Sequence, residues 1–296
     1  MFEQLGLIGC GLMGGSFALA LKKAGLVKRV VGYSKSPSTT ARALQMGVID
    51  IEAPSALLAA AGADLVLVAV PVSATEATLK SIKHLVTPEM LIMDVGSTKS
   101  DVVQAARNAL GSQIGSFVPA HPNTGKELSG VDHADAHLYR GAKVILTPIE
   151  RTLTSHLHKA EALWQALECD VRVMSPENHD AAFAAVSHLP HMLAFAMMQS
   201  IMRQEHADAF LSIAGPGFRD FTRIAAGEPK MWRDILLANK DEVLAQTAYF
   251  KRAMQAFEDA LHSGDARALE DMITLASAAR AQCRFHPADA STLHDA

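Results

Sequence analysis

Residues 5–14 read LGLIGCGLMG, an apolar run of strand length followed at once by three glycines and then by a helical stretch that runs to about Gly25. Glycines at this spacing permit a tight turn and let the backbone approach a pyrophosphate, whose charge the helix N-terminus stabilises. A second strand-like run, VVGY, follows at residues 30–33. This order predicts the first strand, turn and helix of a dinucleotide-binding domain, with these cofactor-binding residues: Gly9, Gly11, Leu12, Met13 and Gly14.

Apolar runs of strand length recur as far as about residue 175. They are KRVVGY, ADLVLVAV, MLIMDVG, SFVPAH, AKVILTP and CDVRVMS, and amphipathic helical stretches separate them. Continuous apolar runs of this kind are typical of a parallel sheet that is buried on both faces. From Pro176 onward the runs give way to helical patterns with breaks at residues 214–217 and 227–229.

The predicted fold class is therefore α/β, with two domains. Residues 1–175 are predicted to form a Rossmann-type NAD(P)-binding domain with a parallel sheet. Residues 176–296 are predicted to form an all-helical domain, in which the polar, aperiodic tail from about residue 284 is disordered.

Bulk composition excludes several classes of protein. Of the 296 residues, 49% are hydrophobic and 20% charged, and the formal net charge is −4. This composition is that of a globular protein, and it lacks the concentrated positive charge that nucleic acid or an anionic membrane surface requires. Three widely spaced cysteines indicate neither a disulfide framework nor a metal site, and no secretory signal is recognisable. We therefore expect a cytoplasmic protein without a bound metal.

One stretch, residues 181–202, is nearly long enough to span a membrane. It contains polar residues that would be costly in lipid, namely Ser187, His188, Pro190, His191 and Gln199. We therefore predict a buried helix. Because the stretch is apolar on nearly all sides, a small helical domain cannot cover it alone, and the sequence predicts a homodimer.

The end of the second strand carries Ser34-Lys35-Ser36, where an NAD enzyme usually has an acidic residue that binds the ribose hydroxyls. Hydroxyl groups and a cation suit the 2'-phosphate of NADP instead. The same residues also fit an ordinary solvated loop. We predict that Ser34 and Lys35 contact the cofactor and that NADP is preferred, with NAD possible.

Two further candidates follow predicted strands. Ser97 lies in DVGSTK at residues 94–99, although a serine there could equally be an N-cap for the next helix. His121 begins HPNTGKELSG and is placed to act as a base near neutral pH. The ends of parallel strands are where ligands bind in such sheets, so both residues are candidates for the site, and Ser97 is predicted to contact the cofactor as well.

Taken together, the motifs resemble the prephenate and arogenate dehydrogenase family of tyrosine biosynthesis. The resemblance rests on GCGLMGGS (9–16), DVGSTK (94–99), HPNTGKELSG (121–130), YRGAKVILTP (139–148), SHLPH (187–191) and FRDFTRIAAGEPKMWRD (218–234), in the family's order. It implies a nicotinamide cofactor on the first domain, and a helical domain that dimerises and completes the active site.

The resemblance also implies roles for individual residues. His121 is similar to the family's catalytic histidine, and Ser97 to the serine that hydrogen-bonds that histidine and the ring hydroxyl. Glu127 is similar to a carboxylate near the substrate, while His191 and Arg223 are similar to groups that hold it. Arg219 and Arg233 are alternative cations for the substrate carboxylate, since an arginine fork can bind a carboxylate through two hydrogen bonds.

The sequence leaves other questions open. Asn123 and Thr124 are polar where the family commonly has small or apolar residues, so the choice between prephenate and arogenate is undecided. For His188, a structural role is as well supported as a functional one. Two alternative functions are a β-hydroxyacid dehydrogenase and a non-catalytic NAD(P)-sensing module; SHLPH argues against the first, and His121 with Ser97 against the second.

Overall fold

A computed structural model of the chain describes residues 1–126 and 128–283. Glu127 and the tail from residue 284, which was predicted to be disordered, lie outside the described residues. The chain forms two compact units, Met1–Lys240 and the part from Asp241 onward. The first unit opens with six strands: β1 (Phe2–Ile8), β2 (Val27–Tyr33), β3 (Ile51–Glu52), β4 (Leu65–Val68), β5 (Leu91–Asp94) and β6 (Phe117–Val118).

These six strands form one parallel sheet in the order β3-β2-β1-β4-β5-β6. On β1, Leu7 pairs with Gly32 of β2 on one side and with Leu67 of β4 on the other. The strand order therefore reverses between β1 and β4. In doubly wound sheets, the crevice beyond the strand ends at such a reversal is where ligands bind.

Helices cover both faces of the sheet, and they are α1 (Leu12–Lys23), α2 (Pro37–Gln45), α3 (Ala56–Ala60), α4 (Thr75–Ile82), α5 (Ser100–Leu110) and α6 (Thr154–Ala166). Alternate residues of β4 point to opposite cores: Leu65 and Leu67 pack in one, Val66 and Val68 in the other. All four are fully or almost fully buried. The predicted parallel sheet with two buried faces is confirmed.

The later strand-like runs form a separate sheet. It consists of β7 (Ala120–Asn123), β8 (Lys143–Leu146) and β9 (Asp170–Val173), with β7 antiparallel and β9 parallel to β8. The run SFVPAH is thus divided between two sheets at Pro119, which cannot donate a backbone hydrogen bond to a strand neighbour. His121 consequently lies inside β7, paired with Ile145, and does not follow a strand of the large sheet.

Helices make up the rest of the first unit: α7 (Pro176–Phe183), a π-helical turn (Ala184–His188), α8 (Leu189–Met202), α9 (Ala207–Ser212), α10 (Pro216–Thr222) and α11 (Pro229–Ala238). The predicted breaks correspond to the starts of α10 and α11, where proline fits the first turn. Short 3-10 segments of three to six residues span Val72–Ala74, Lys83–Leu85, Gly111–Ser116, Val131–His133 and Arg223–Ala226.

The helical stretch Pro176–Met202 is long and apolar enough to cross a membrane by length and composition. The core helix of a folded domain passes the same test. Here the polar side chains of His179, Asp180 and His188 are buried, whereas Met202 at the far end is exposed. Buried polar groups with partners inside the protein identify the first half of this stretch as part of the folded core.

The second unit contains most of α12 (Lys240–Ser263) and all of α13 (Ala266–Gln282). Gly264 ends α12 in a left-handed conformation, and the Asp265 carboxylate caps α13 by accepting the backbone N–H of Ala268 at 2.9 Å. Both helices expose large apolar side chains, among them Leu244, Leu261 and Leu275. The domain boundary predicted at residue 175 falls between β9 and α7, inside the first compact unit, and stays a prediction.

Candidate active site

The glycine turn after β1 is held by contacts that only glycine allows. Gly9 has φ +102°, and a Cβ on it would lie 2.1 Å from the carbonyl oxygen of Ala69, which follows β4. A Cβ on Gly14 would lie 2.0 Å from the carbonyl oxygen of Gly9. These two glycines therefore allow the close packing of α1 against the ends of β1 and β4.

Gly11 differs from its two neighbours in the motif. Its φ of −76° is open to any residue, and apart from its two neighbours in the chain no described residue has an atom within 4 Å of a Cβ built on it. The space lies at the N-terminus of α1, where backbone N–H groups and the helix dipole favour an anion. The turn therefore fits the pyrophosphate of a dinucleotide, which a side chain at Gly11 would obstruct.

Ser34 supports this turn from the end of β2. Its hydroxyl oxygen accepts the backbone N–H of Cys10 at 2.8 Å, and its own N–H donates to the Thr40 hydroxyl at 3.1 Å. The neighbouring Lys35 is exposed. The Ser34 side chain is thus fixed against the glycine turn, at the position where the adenosine ribose binds in such folds.

A cavity of about 590 Å³ opens beside the turn. Gly11, Leu12, Met13 and Gly14 line one side of it. The predicted site residues that line the same cavity come from four separate elements, and they are Ser97, His121, His191 and Arg223. Arg219 and Arg233 do not line the cavity, and Arg233 is ion-paired with Asp234, so Arg223 is the arginine of the predicted set that reaches the cavity.

His121 is only 7% exposed and is packed between aromatic rings. Its ring centroid lies 4.5 Å from that of Phe183, and its Nδ1 lies 2.8 Å from Nε2 of His179. Burial is the main cause that holds the pKa of His121 well below its ordinary value of 6.5, and repulsion from the Lys99 ammonium and from the protonated forms of His179 and His188 lowers it further. The imidazole is therefore neutral at physiological pH and can accept a hydrogen bond.

A carboxylate lies behind the two histidines. Asp180 Oδ1 is 2.8 Å from Nδ1 of His179, and the carboxylate also accepts the backbone N–H groups of Lys99 and Ser100 at 2.8 Å each. Burial alone would raise the pKa of Asp180, but these hydrogen bonds outweigh it and the pKa is lowered. His179 and Asp180 were not predicted from the sequence, because no strand or glycine motif marks this segment of α7.

The DVGSTK motif has a structural basis in a buried ion pair. Lys99 is completely buried, its ammonium contacts the Asp94 carboxylate, and it donates to the Ala120 carbonyl at 2.8 Å. Asp94 in turn accepts the N–H groups of Ala120 at 2.9 Å and Gly96 at 2.8 Å. This network joins the end of β5 to β7, next to His121. Since α5 begins at Ser100 with Lys99 as its N-cap, Ser97 is not the cap of that helix.

The two histidines of SHLPH have different environments. His188 is buried, its Nδ1 lies 3.1 Å from the Asn239 amide, and burial lowers its pKa to about 4. His191 lines the cavity, its Nδ1 donates to the Ser187 carbonyl at 2.9 Å, and its ring stacks on Trp232. Burial lowers the pKa of His191 as well, and Arg223 adds to that effect.

Within residues 1–126 and 128–283, no group of three metal-ligating side chains is close enough to hold an ion.

The fold and the glycine turn define a dinucleotide-dependent dehydrogenase. Two family models match the chain, the nucleotide-binding domain of prephenate dehydrogenase over residues 17–174 and its dimerization domain over residues 175–275. The chain belongs to the prephenate dehydrogenase family.

Individual relatives agree with this assignment. The chain is 39% identical to a prephenate dehydrogenase of Bacillus subtilis over 246 residues, 82% of this chain and 66% of that protein. It is 32% identical to a cyclohexadienyl dehydrogenase of Zymomonas mobilis over 90% of both chains. A crystal structure of prephenate dehydrogenase from A. aeolicus, in complex with hydroxyphenyl propionate and NAD+, superimposes with a TM-score of 0.88 at 34% identity, covering 95% of this chain and 98% of that one.

These comparisons confirm the predicted fold class, and with it the prediction of a prephenate or cyclohexadienyl dehydrogenase of tyrosine biosynthesis. They favour this function over a β-hydroxyacid dehydrogenase or a non-catalytic sensing module. The first domain is a nucleotide-binding domain and the second a dimerisation domain. The roles of the individual site residues stay predictions.

Proposed function

We propose that His121 is the catalytic residue in the oxidative decarboxylation of prephenate or arogenate, acting as the hydrogen-bond acceptor for the C4 hydroxyl of the substrate. One observation carries this proposal. A neutral, buried imidazole shares a cavity with the nucleotide turn, and its Nδ1 is already engaged by His179 at 2.8 Å. The other ring nitrogen, Nε2, is then the one available to a ligand.

The reaction removes hydride from C4 and carbon dioxide from C1 of a cyclohexadiene ring. When bound, the nicotinamide supplies the hydride acceptor. As the C4–H bond breaks with its electron pair, positive charge builds on C4 and its hydroxyl, and a hydrogen bond to neutral His121 stabilises that charge. The C1–carboxylate bond then breaks, its electrons restore aromaticity, and carbon dioxide leaves. The product keeps the hydroxyl as a phenol, so no proton is lost to the enzyme.

Arg223 and His191 are proposed to hold the anionic groups of the substrate. A guanidinium can bind a carboxylate through two parallel hydrogen bonds, which also fixes the direction of the ring. Both residues line the cavity, and Arg223 is close enough to His191 to lower the pKa of that histidine. We propose that Ser97 contacts the ring hydroxyl from the end of β5, and that Glu127, which lies outside the described residues, acts near the substrate.

We propose that NADP is used at least as well as NAD. Support comes from the end of β2, where Ser34 faces the glycine turn and the exposed Lys35 adds a positive charge. A carboxylate at this position would repel the 2'-phosphate of NADP, and Ser34 removes that repulsion.

We also propose that the enzyme is a cytoplasmic homodimer. Several large apolar side chains of the helical region are exposed in the single chain, including Val186 at 72% and Met202 at 67%. Exposed apolar surface of this kind is typical of a subunit interface. The match of residues 175–275 to a dimerization domain also supports a homodimer.

The decisive experiment follows NAD(P)H absorbance with prephenate and with arogenate, each with NAD and with NADP, together with release of carbon dioxide. We expect equal amounts of reduced cofactor and carbon dioxide from at least one of the two substrates. Reduction of the cofactor without decarboxylation, or no turnover with either substrate, would contradict the proposal.

A further inference from the structure

We infer that His179 and Asp180 are positioning residues that hold His121 in the tautomer with its acceptor, Nε2, directed to the cavity. This inference rests on the proposed role of His121 and adds two residues to the reaction. Neither His179 nor Asp180 lines the cavity, so both act through His121.

The hydrogen-bond chain determines where each proton lies. The Asp180 carboxylate accepts two backbone N–H groups, from Lys99 and Ser100, and is therefore ionised and fixed in direction. It can only accept from His179, so Nδ1 of His179 carries a proton. Because burial lowers the pKa of His179, the ring is neutral and its Nε2 has the lone pair. That lone pair accepts a hydrogen bond, and the donor must be Nδ1–H of His121. Nε2 of His121 is left as the acceptor.

The intervening imidazole also explains why His121 stays neutral. A carboxylate in direct contact with His121 would stabilise the imidazolium and raise its pKa. Here the Asp180 charge is one ring away, and the charged and titratable groups around the pair are Lys99, paired with Asp94, and His188. The hydrogen-bond chain thus fixes which ring nitrogen of His121 carries the proton, without placing a carboxylate in contact with that ring.

Packing holds the two rings in this arrangement. Phe183, one turn further along α7, stacks on His179 with ring centroids 4.4 Å apart and planes at 20°, and it also contacts His121. His179 is completely buried. Because Asp180 also holds the backbone at the start of α5, its removal would affect folding, and His179 is the better residue to test.

The test compares His179→Phe with His179→Gln in the full-length enzyme. Phenylalanine keeps a flat ring beside Phe183 but cannot accept from His121, and we expect kcat to fall roughly 10- to 100-fold with little change in either KM. Glutamine can present its amide oxygen to Nδ1–H of His121, and we expect it to retain most of the wild-type kcat. The matched control is His156→Phe, since His156 is equally buried but bonds to the Pro88 carbonyl away from the cavity.

A second measurement reads the tautomer directly. In the ¹⁵N spectrum of histidine-labelled enzyme, we expect Nδ1 of His121 to be protonated and Nε2 to be unprotonated. In His179→Phe we expect a mixture of the two tautomers. A wild-type spectrum with Nε2 of His121 protonated would overturn the inference, as would a folded His179→Phe enzyme with wild-type kcat. Because the spectrum needs no substrate, this result is independent of whether His121 proves to be the catalytic residue.

Discussion

The imidazole of His191 stacks on the indole of Trp232, with ring centroids 3.7 Å apart and planes at 23°. Trp232 is 8% exposed, and Gly227 makes room for it, because a Cβ at Gly227 would lie 2.4 Å from the indole nitrogen. The indole therefore fixes the ring plane of His191 at the cavity wall.

This contact predicts the effect of Trp232→Leu. Loss of an aromatic pair costs about 0.5–1.5 kcal/mol, so we expect KM for the substrate to rise roughly 2- to 10-fold. The KM for cofactor should not change, because the stacked pair belongs to α8 and α11, whereas the glycine turn that is expected to bind the cofactor lies between β1 and α1. Steady-state kinetics with each ligand varied in turn, on protein shown by circular dichroism to be folded, measures both. An equal rise in both KM values would mean that the indole supports the whole cavity and not His191 in particular.

Replacement of the proposed acceptor should abolish most of the catalysis. We expect His121→Asn to lower kcat by about 10²- to 10³-fold, the usual contribution of one hydrogen bond that stabilises charge developing in the transition state, with a smaller effect on KM. His156→Asn, at a buried histidine outside the cavity, serves as the control. Near wild-type kcat in His121→Asn at neutral pH would remove His121 from the reaction.

The pH dependence follows from the lowered pKa of His121. The neutral imidazole is the active form, and the folded protein keeps it neutral to well below pH 6.5. We therefore expect kcat/KM to stay level as the pH falls through 6.5 and to decrease only in more acidic solution. Initial rates between about pH 5 and 9 test this expectation. A midpoint at or above 6.5 would show that the substrate pocket does not depress the pKa of the essential group.

If Arg223 binds the substrate carboxylate, its replacement should affect substrate binding more than replacement of the nearby Arg233. We expect Arg223→Ala to raise KM for the substrate roughly 10- to 100-fold while cofactor affinity stays almost intact, because the lost hydrogen bonds are made to the substrate carboxylate. Arg233→Ala is the matched control, since Arg233 is 61% exposed and ion-paired with Asp234. A larger effect at Arg233 than at Arg223 would transfer the role to that residue.

Cofactor choice should depend on position 34. In Ser34→Asp, the new carboxylate can still accept the Cys10 N–H but repels the 2'-phosphate, so we expect kcat/KM with NADP to fall at least about 10-fold and the preference to reverse. Ser38→Asp adds the same charge to exposed surface nearby and serves as the control. A wild-type enzyme that clearly prefers NAD would refute the interpretation of Ser34 and Lys35, and leave His121 unaffected.

The exposed apolar side chains of the helical region predict a stable dimer. We expect solution scattering at micromolar concentration to give twice the mass of the chain, and Met202→Asp to shift it toward the monomer, because a charge would be buried at the interface. Leu58→Asp, at an exposed leucine of α3 in the nucleotide-binding domain, should leave the dimer intact. A wild-type monomer would contradict this prediction.

The sequence by itself determined the glycine turn, the parallel sheet and the helical second half. These features depend on local signals: three glycines at fixed spacing, apolar runs of strand length, and prolines at helix starts such as Pro216 and Pro229. The family motifs also identified Ser97, His121, His191 and Arg223, which the fold brings to one cavity.

Only the tertiary structure decided how His121 is held. Its partner His179 lies 58 residues away in the chain, and Asp180 reaches across to the start of α5 some 80 residues earlier. No local pattern encodes such a contact, because two buried polar groups become partners only when packing excludes water and leaves them nothing else to bond. Tertiary packing also decided that SFVPAH is divided between two sheets. Pro119 indicates that the strand is interrupted, but the sequence does not show that the residues after it join a second sheet.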